Sequence, residues 1–306
     1  MRIALLIFDQ FSNLCLANCL EPLRATNTLS RSHLFDWQIL TQDGGGAVSS
    51  SQMQVMPHAR LADLAACDYL FVLSSYAHEA LDTPANRRAL RIAASKARVC
   101  AGLDTAPWLL ASAGLLEGRR ATVHWDLLDA FTERFLEVEA ERSRVVRDGR
   151  VITCAGAMSA LDMTLGLIAD HAGLAVRLDV EALFMQGDPP AGAPQEHGAV
   201  TDPLVRRALS LMRQNLERPL ALQDLSRALS CLPRTLNRRF RQRLGAPPGT
   251  VYRHLRLSAA RKLVENSTLG VAEIALRCGY ESPVAMTRAM RAHYGATPSA
   301  LRRMIA

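Results

Sequence analysis

Between Pro219 and Arg303 the chain states one pattern twice, and this repetition restricts its architecture more than any other feature. Leu222, Leu225, Leu236, Arg238, Phe240, Arg241, Gly245 and Pro248 recur as Val271, Ile274, Met286, Arg288, Met290, Arg291, Gly295 and Pro298. The offset is 49 residues for the first two pairs and 50 for the other six. One extra residue therefore belongs in the second copy's turn. Apolar positions, arginines and Gly/Pro punctuation kept together at a fixed offset mark a duplicated structural unit. Each copy predicts helix, short turn, helix, with Leu225, Leu236, Phe240, Ile274, Met286 and Met290 facing a core.

The flanking sequence predicts the rest of a helical domain over residues 201–306. Thr201 or Asp202 before Pro203 is a helix start, and a first helix runs to about Leu216. A long helix over about Gly249–Glu265 joins the copies, and Thr297-Pro298 opens a short last helix. From residue 200 onward 19 Lys+Arg stand against 6 Asp+Glu, and 18 of the 19 are arginine; the first 199 residues carry 17 and 23. An acidic part is joined to a strongly basic one. Guanidinium groups make paired contacts to phosphate and to guanine edges, so the basic part predicts nucleic-acid binding.

Ahead of the change of sign lies Gln186–Gly198, rich in Pro and Gly and without apolar period, which predicts a linker over 187–200. His197 within it is assigned no role. Residues 1–186 alternate apolar runs with helical patterns. Strands are expected at 2–8, Trp37–Thr41, Tyr69–Leu73 and Val99–Leu103. Helices are expected at Asn13–Leu29, Asn86–Ala97, Ala106–Leu116, Trp125–Phe135, Ala160–His171 and Ala175–Met185, with an Asp-Gly hairpin over Arg144–Cys154. This order predicts a flavodoxin-like α/β layered domain with a mainly parallel sheet. The apolar run Ala4–Phe8 is too short for a membrane span or a signal peptide. Seven cysteines without a C-x-x-C pair fit a reduced cytoplasm, and no metal or other cofactor is implied.

The segment Cys100-Ala101-Gly102-Leu103-Asp104-Thr105-Ala106-Pro107-Trp108 is a strand, a sharp turn and a helix, which presents Asp104 at the carboxyl end of the sheet. With Ala113-Gly114-Leu115-Leu116 and Thr122-Val123-His124-Trp125 it resembles the class I glutamine-amidotransferase-like (ThiJ/PfpI) domain, and more closely the version fused to AraC/XylS-type regulators. The resemblance covers about residues 1–185. It implies a nucleophile position at Asp104, a histidine position at His124, and Glu21 as the acidic residue that approaches the elbow. A carboxylate does not perform thiol chemistry, and Cys100 lies inside the strand as a core residue. The expectation is a ligand pocket with an acidic floor of Asp104 and Glu21, Trp108 as an aromatic face for an ammonium or guanidinium group, and His124 as a hydrogen-bonding group. Asp104 as a helix cap and Trp108 as a core residue are the competing readings. Regulators of this kind are associated with betaines, carnitine-like compounds and basic amino acids, so the resemblance implies a small cationic or zwitterionic effector.

Ile274–Ser282 with Gly295-Ala296-Thr297-Pro298-Ser299 resembles the AraC/XylS DNA-binding signature. This implies seven helices in two helix-turn-helix units, whose second helices enter successive major grooves roughly 34 Å apart. Carried over by position, Arg234, Thr235, Asn237 and Arg238 face bases in the first unit, and Arg241 meets phosphate. In the second unit Pro283, Val284, Thr287 and Arg288 stand at the matching positions, and Arg291 meets backbone. Val284 suits a thymine methyl group.

The whole predicts a cytoplasmic, ligand-responsive regulator of transcription, an activator by resemblance. Its partners would be promoter DNA, a small effector, RNA polymerase, and a second copy through the amino-terminal domain. The alternatives are an amidotransferase-like or hydratase-like enzyme with a fused DNA-binding domain, and a purely architectural DNA-binding protein.

Overall fold

The computed structural model describes residues 1–30, 32–184 and 202–303; the linker expected over 187–200, His197 included, lies outside them. The chain forms two compact units, Met1–Ile168 and Ala169–Ala306.

The first unit is built on a sheet. Its elements are β1 (Arg2–Ile7), α1 (Asn13–Ser30), β2 (Asp36–Thr41), β3 (Ala47–Val48), β4 (Gln54–Val55), β5 (Ala59–Arg60), β6 (Cys67–Ser74), α2 (His78–Leu81), α3 (Pro84–Ser95) and β7 (Ala97–Asp104). There follow α4 (Ala106–Ser112), β8 (Arg120–Ala121), α5 (Leu128–Arg134), β9 (Glu139–Ala140), β10 (Val145–Asp148), β11 (Val151–Cys154) and the start of α6 (Ala157–Phe184). Seven strands lie in the order β10-β11-β7-β6-β1-β2-β5, parallel except for the β10/β11 hairpin. Ile3 to Ile7 are at most 1% exposed, as a strand covered on both faces requires. The hairpin pairs Asp148 with Val151, so its two-residue loop is Gly149-Arg150, one residue later than the expected Asp-Gly, with Gly149 supplying the positive φ of 59°. Gly102 lets α4 close onto β7: a Cβ there would lie 2.7 Å from the Leu110 side chain and 3.1 Å from the Pro107 nitrogen.

The order of strands reverses beside β1, which pairs with β2 on one side and β6 on the other. Open α/β sheets bind ligands at the carboxyl ends of the strands at such a switch. Here the ends of β1, β6 and β7 meet there, and Asp104 is the last residue of β7, in register with Ser74.

The second unit contains seven helices beyond α6 among the described residues. These are α7 (Pro203–Gln214), α8 (Leu222–Ala228), α9 (Pro233–Leu244), α10 (Pro248–Asn266), α11 (Val271–Arg277), α12 (Pro283–Tyr294) and α13 (Pro298–Arg303). The repeat is visible in the lengths: α8 and α11 have 7 residues, α9 and α12 have 12. Gly245 and Gly295 end the longer pair with the same φ of 70°, each amide donating to the carbonyl of Arg241 or Arg291. The extra residue falls in the turn, Leu229–Leu232 against Cys278–Ser282. Leu236, Phe240, Ile274, Met286 and Met290 are fully buried and Leu225 is 1% exposed, so all six expected core residues are core.

Helix α10 ties the two copies. Its Tyr252 hydroxyl donates to the Asn215 carbonyl at 2.7 Å, ahead of α8. Its Arg256 donates to the carbonyls of Cys278 and Gly279 in the second turn and lies over the Tyr280 ring. Helix α6 breaks at Gly173 (φ 83°, ψ 165°), between the two expected helices. Beyond the break, Leu174 and Leu178 join the core formed by Val205, Leu209, Met212 and Phe240. The helical unit therefore begins well before residue 201.

Candidate functional site

At the carboxyl edge of the sheet three non-glycine residues adopt left-handed backbone: Gln10 after β1 (φ 61°), Ala77 after β6 (φ 54°) and Asp104 on β7 (φ 65°). Each such residue costs on the order of 1–3 kcal/mol, and such strain collects at functional sites. The loops are cross-linked. The Ser12 amide donates to Ser75 Oγ at 3.0 Å, Ser75 Oγ donates to Asp104 Oδ2 at 2.7 Å, and the Tyr76 amide donates to the Gln10 carbonyl. The His124 amide donates to the Asp104 carbonyl at 2.9 Å.

Asp104 is 7% exposed. Burial raises its carboxyl above the usual range, against the opposing pull of the Ser75 hydroxyl and of His124. It does not cap α4: the N-cap is Thr105, and no side chain completes that cap. His124 stands at the rim, where its Nδ1 accepts from the Asp126 amide at 3.4 Å and its ring lies 4.6 Å from that of Trp125. Trp125 is 56% exposed, and both rings border Gly156.

The other two expected pocket residues lie elsewhere. Glu21 stands on the exposed side of α1, ion-paired with Arg24 at 2.7 Å. On α1 it is Cys15 that feels the Asp104 charge, and the helical period explains this: Cys15 and Cys19 share the buried face, and six residues carry Glu21 well round the helix. Trp108 follows its core reading, with its ring 5.1 Å from His78, 5.2 Å from Phe135 and 6.2 Å from Phe131. The aromatic group beside His124 is Trp125, its neighbour in sequence, and not Trp108, one helical turn beyond Asp104.

Two thiols, Cys15 and Cys154, lie near the carboxylate without being activated. Cys15 is held well up by its hydrogen bond to Cys19 and by burial. Burial, above all, does the same to Cys154, whose sulfur lies against the amides of Asp104 and Gly156. Cys100 is buried in β7 and pushed up to about 12 by that burial. A nucleophilic cysteine needs the opposite environment. Among the described residues no group of three or more His, Cys, Asp or Glu is placed to hold a metal.

In the helical unit, α9 presents three faces. Leu236, Phe240 and Leu244 face the core. Arg234, Asn237, Arg238 and Arg241, spaced i, i+3, i+4, i+7, share a second face, with Arg241 Nε donating to Asn237 Oδ1 at 3.2 Å. Thr235, Arg239 and Arg243 form the third, turned toward the start of α7. Thr235 is thus set apart from the other three expected readers and from Arg241. In α12, Val284 (66% exposed), Arg288 and Arg291 are exposed, and Thr287 is half-buried beside the Met286–Met290 core. The arrangement suits a cationic helix face laid into a groove.

Residues 1–170 match the DJ-1/PfpI family and residues 225–304 match a helix-turn-helix domain. Over 302 residues the chain is 33% identical to the HTH-type transcriptional regulator CdhR of Pseudomonas aeruginosa, covering 96% of this chain and 89% of that protein. It is 28% identical over 222 residues to an isonitrile hydratase of Pseudomonas putida, covering 71% of this chain and 94% of the enzyme. In fold it resembles a ThiJ/PfpI family protein from Pseudomonas syringae, with TM-score 0.54 at 22% identity over 70% of this chain and 86% of that one.

Proposed function

Since the chain belongs to the DNA-binding, helix-turn-helix transcriptional regulators that carry an amino-terminal DJ-1/PfpI domain, we propose that this domain senses a small nitrogenous metabolite at the crevice around Asp104. The effector is cationic or zwitterionic. The buried Asp104 carboxylate, aimed by a left-handed elbow and held by Ser75, carries this reading. Trp125 supplies the aromatic face for an ammonium group, and His124 a hydrogen-bonding partner for a carboxylate. A ligand that binds one conformation better shifts the protein toward it, so occupancy favours a DNA-competent state. The protein then activates transcription in the cytoplasm, working with RNA polymerase and as a homodimer through its first domain.

Calorimetric titration with glycine betaine, carnitine and arginine tests the site. Asp104→Ala and Trp125→Ala should each abolish the heat of the binding ligand, and Trp108→Ala and Glu21→Gln should leave it. Unchanged affinity in Asp104→Ala removes the anionic anchor from the proposal.

An enzymatic role is the second reading, favoured by the likeness to the isonitrile hydratase. Against it stands the carboxylate at the elbow, with Cys15, Cys100 and Cys154 all held as thiols. Turnover of an isonitrile by the intact chain, lost in Asp104→Ala, would reverse the preference. On the helical unit, Arg234, Asn237 and Arg238 read base edges in one groove, with Arg241 on phosphate. Val284, Thr287 and Arg288 face the next groove, with Arg291 on backbone. Thr235 contributes only at the margin of the first.

A further inference from the structure

Asp202, at the start of α7, is a buried carboxylate whose partners among the described residues leave one oxygen without a hydrogen bond. It is 6% exposed. Its Oδ1 accepts the α7 cap bonds from the Leu204 amide at 3.0 Å and the Val205 amide at 3.4 Å. Its Oδ2 accepts no hydrogen bond from the described residues, and lies 3.4 Å from Arg239 Nη1 and 4.0 Å from Arg243 Nε. A recess of about 380 Å³ is lined by Asp202, Pro203, Leu204, Thr235, Arg239 and Arg243.

Arg239 and Arg243 stand one turn apart on α9, on the face next to Arg234, Asn237, Arg238 and Arg241. Their side chains are 43% and 50% exposed, so each is long and mobile enough to swing toward a nearby phosphate unless something holds it. A buried negative charge is that restraint: leaving it unpaired is costly, and exchanging it for a solvated phosphate gains little. The repeat supplies an independent observation. At the 50-residue offset Arg239 becomes Ala289 and Arg243 becomes His293, whereas Arg238 and Arg241 keep their arginines. The two held arginines are therefore no part of the shared helix-turn-helix framework. They occur only in the copy whose neighbouring helix brings a carboxylate to them.

We propose that Asp202 is a charge latch that holds Arg239 and Arg243 off the DNA backbone and confines the cationic surface of α9 to its reading face. The latch lowers sequence-independent affinity and so raises discrimination by the first unit. It rests on α9 facing DNA.

The test is the salt dependence of binding by the full chain to a random-sequence duplex of about 30 base pairs, followed by fluorescence anisotropy. Asp202→Asn keeps the cap, because Asn serves there as well as Asp, and frees both arginines. It should bind several-fold tighter at low salt, with the slope of log K against log salt steeper by about 1–2. Asp202→Asn/Arg239→Gln/Arg243→Gln leaves no charge unpaired and should restore the wild-type slope. A wild-type slope in Asp202→Asn overturns the latch. So does a triple variant with a slope shallower than wild type, which would place the arginines on phosphate already. A wild type without measurable affinity for any duplex would instead overturn the DNA-facing assignment of α9, and the latch with it.

Discussion

Asp104 sets local preference against tertiary demand. Residues other than glycine seldom hold φ near 65°, aspartate and asparagine being the least reluctant, and a buried carboxylate resists ionisation. The sign of the pH effect follows. The folded carboxyl titrates above the ordinary 3.8, so the unfolded chain gives up its proton first. Stability attached to this group is complete below 3.8 and is lost as pH rises through the folded value. Asp104→Asn keeps the left-handed backbone and cannot ionise. Its melting temperature should match wild type near pH 4 and exceed it by a few degrees at pH 8, with binding of a cationic effector lost. A lower melting temperature at pH 8 would show that the charged carboxylate stabilises the fold, contrary to this account.

Helix α6 shows how far an element's role can depart from its sequence signature. Its apolar spacing and the break at Gly173 are legible along the chain, as are the seven helices and the parallel sheet, because each is a local periodicity. Which unit the end of α6 joins is not local: it depends on Leu174 and Leu178 meeting Val205, Leu209 and Phe240. For the same reason the sequence points to Asp104 and His124 through one motif, with Trp125 adjoining His124 in it, but not to Cys15 and Ser75. Those two come from other segments and meet Asp104 only through the strand order. The face of α9 that Thr235 joins is equally non-local, because position within a repeat does not report which face a neighbouring helix covers. Leu178 is 2% exposed, and Leu178→Ala should cost the helical unit ~2–5 kcal/mol, read by urea unfolding of the full chain. A cost below about 0.5 kcal/mol would mean that α6 merely rests on that core. Between α10 and α12, His254 and His293 stack with ring centroids 4.8 Å apart. Burial, then His293 and Arg253, lower His254 from 6.5 to about 4; burial, then Arg261, lower His293. The unfolded chain takes up these protons first, so stability present above pH 6.5 is lost as pH falls toward 4. The melting temperature of wild type should drop from pH 7 to pH 5 by more than that of His254→Gln. Parallel curves would remove this pair as the cause.

At the scale of the whole chain the division of charge sets the energetics of DNA binding. The residues from 200 onward carry a large positive excess and those before it a smaller negative one, so attraction to DNA originates in the helical unit alone. Not every arginine there is available. Arg256 is committed to the Cys278 and Gly279 carbonyls, Arg302 to those of Val264 and Leu269, Arg261 to Glu265, and Arg239 and Arg243 face Asp202. On the two presented faces Arg234, Arg238, Arg241, Arg288 and Arg291 remain exposed. Counterion release contributes a slope of about −0.9 for each phosphate neutralised. If Arg241 and Arg291 meet phosphate and the others divide between phosphate and bases, the slope for random duplex DNA is about −2 to −4, well short of what the net charge of the unit suggests. Arg241→Ala/Arg291→Ala should make it shallower by about 2 and weaken every sequence alike. Arg238→Ala should instead cost ~1–3 kcal/mol on a selected site and relax one base position. A slope set by the full charge excess, or an Arg241→Ala/Arg291→Ala variant that alters the selected sequence, would mean that internal pairing does not ration these arginines between backbone and bases.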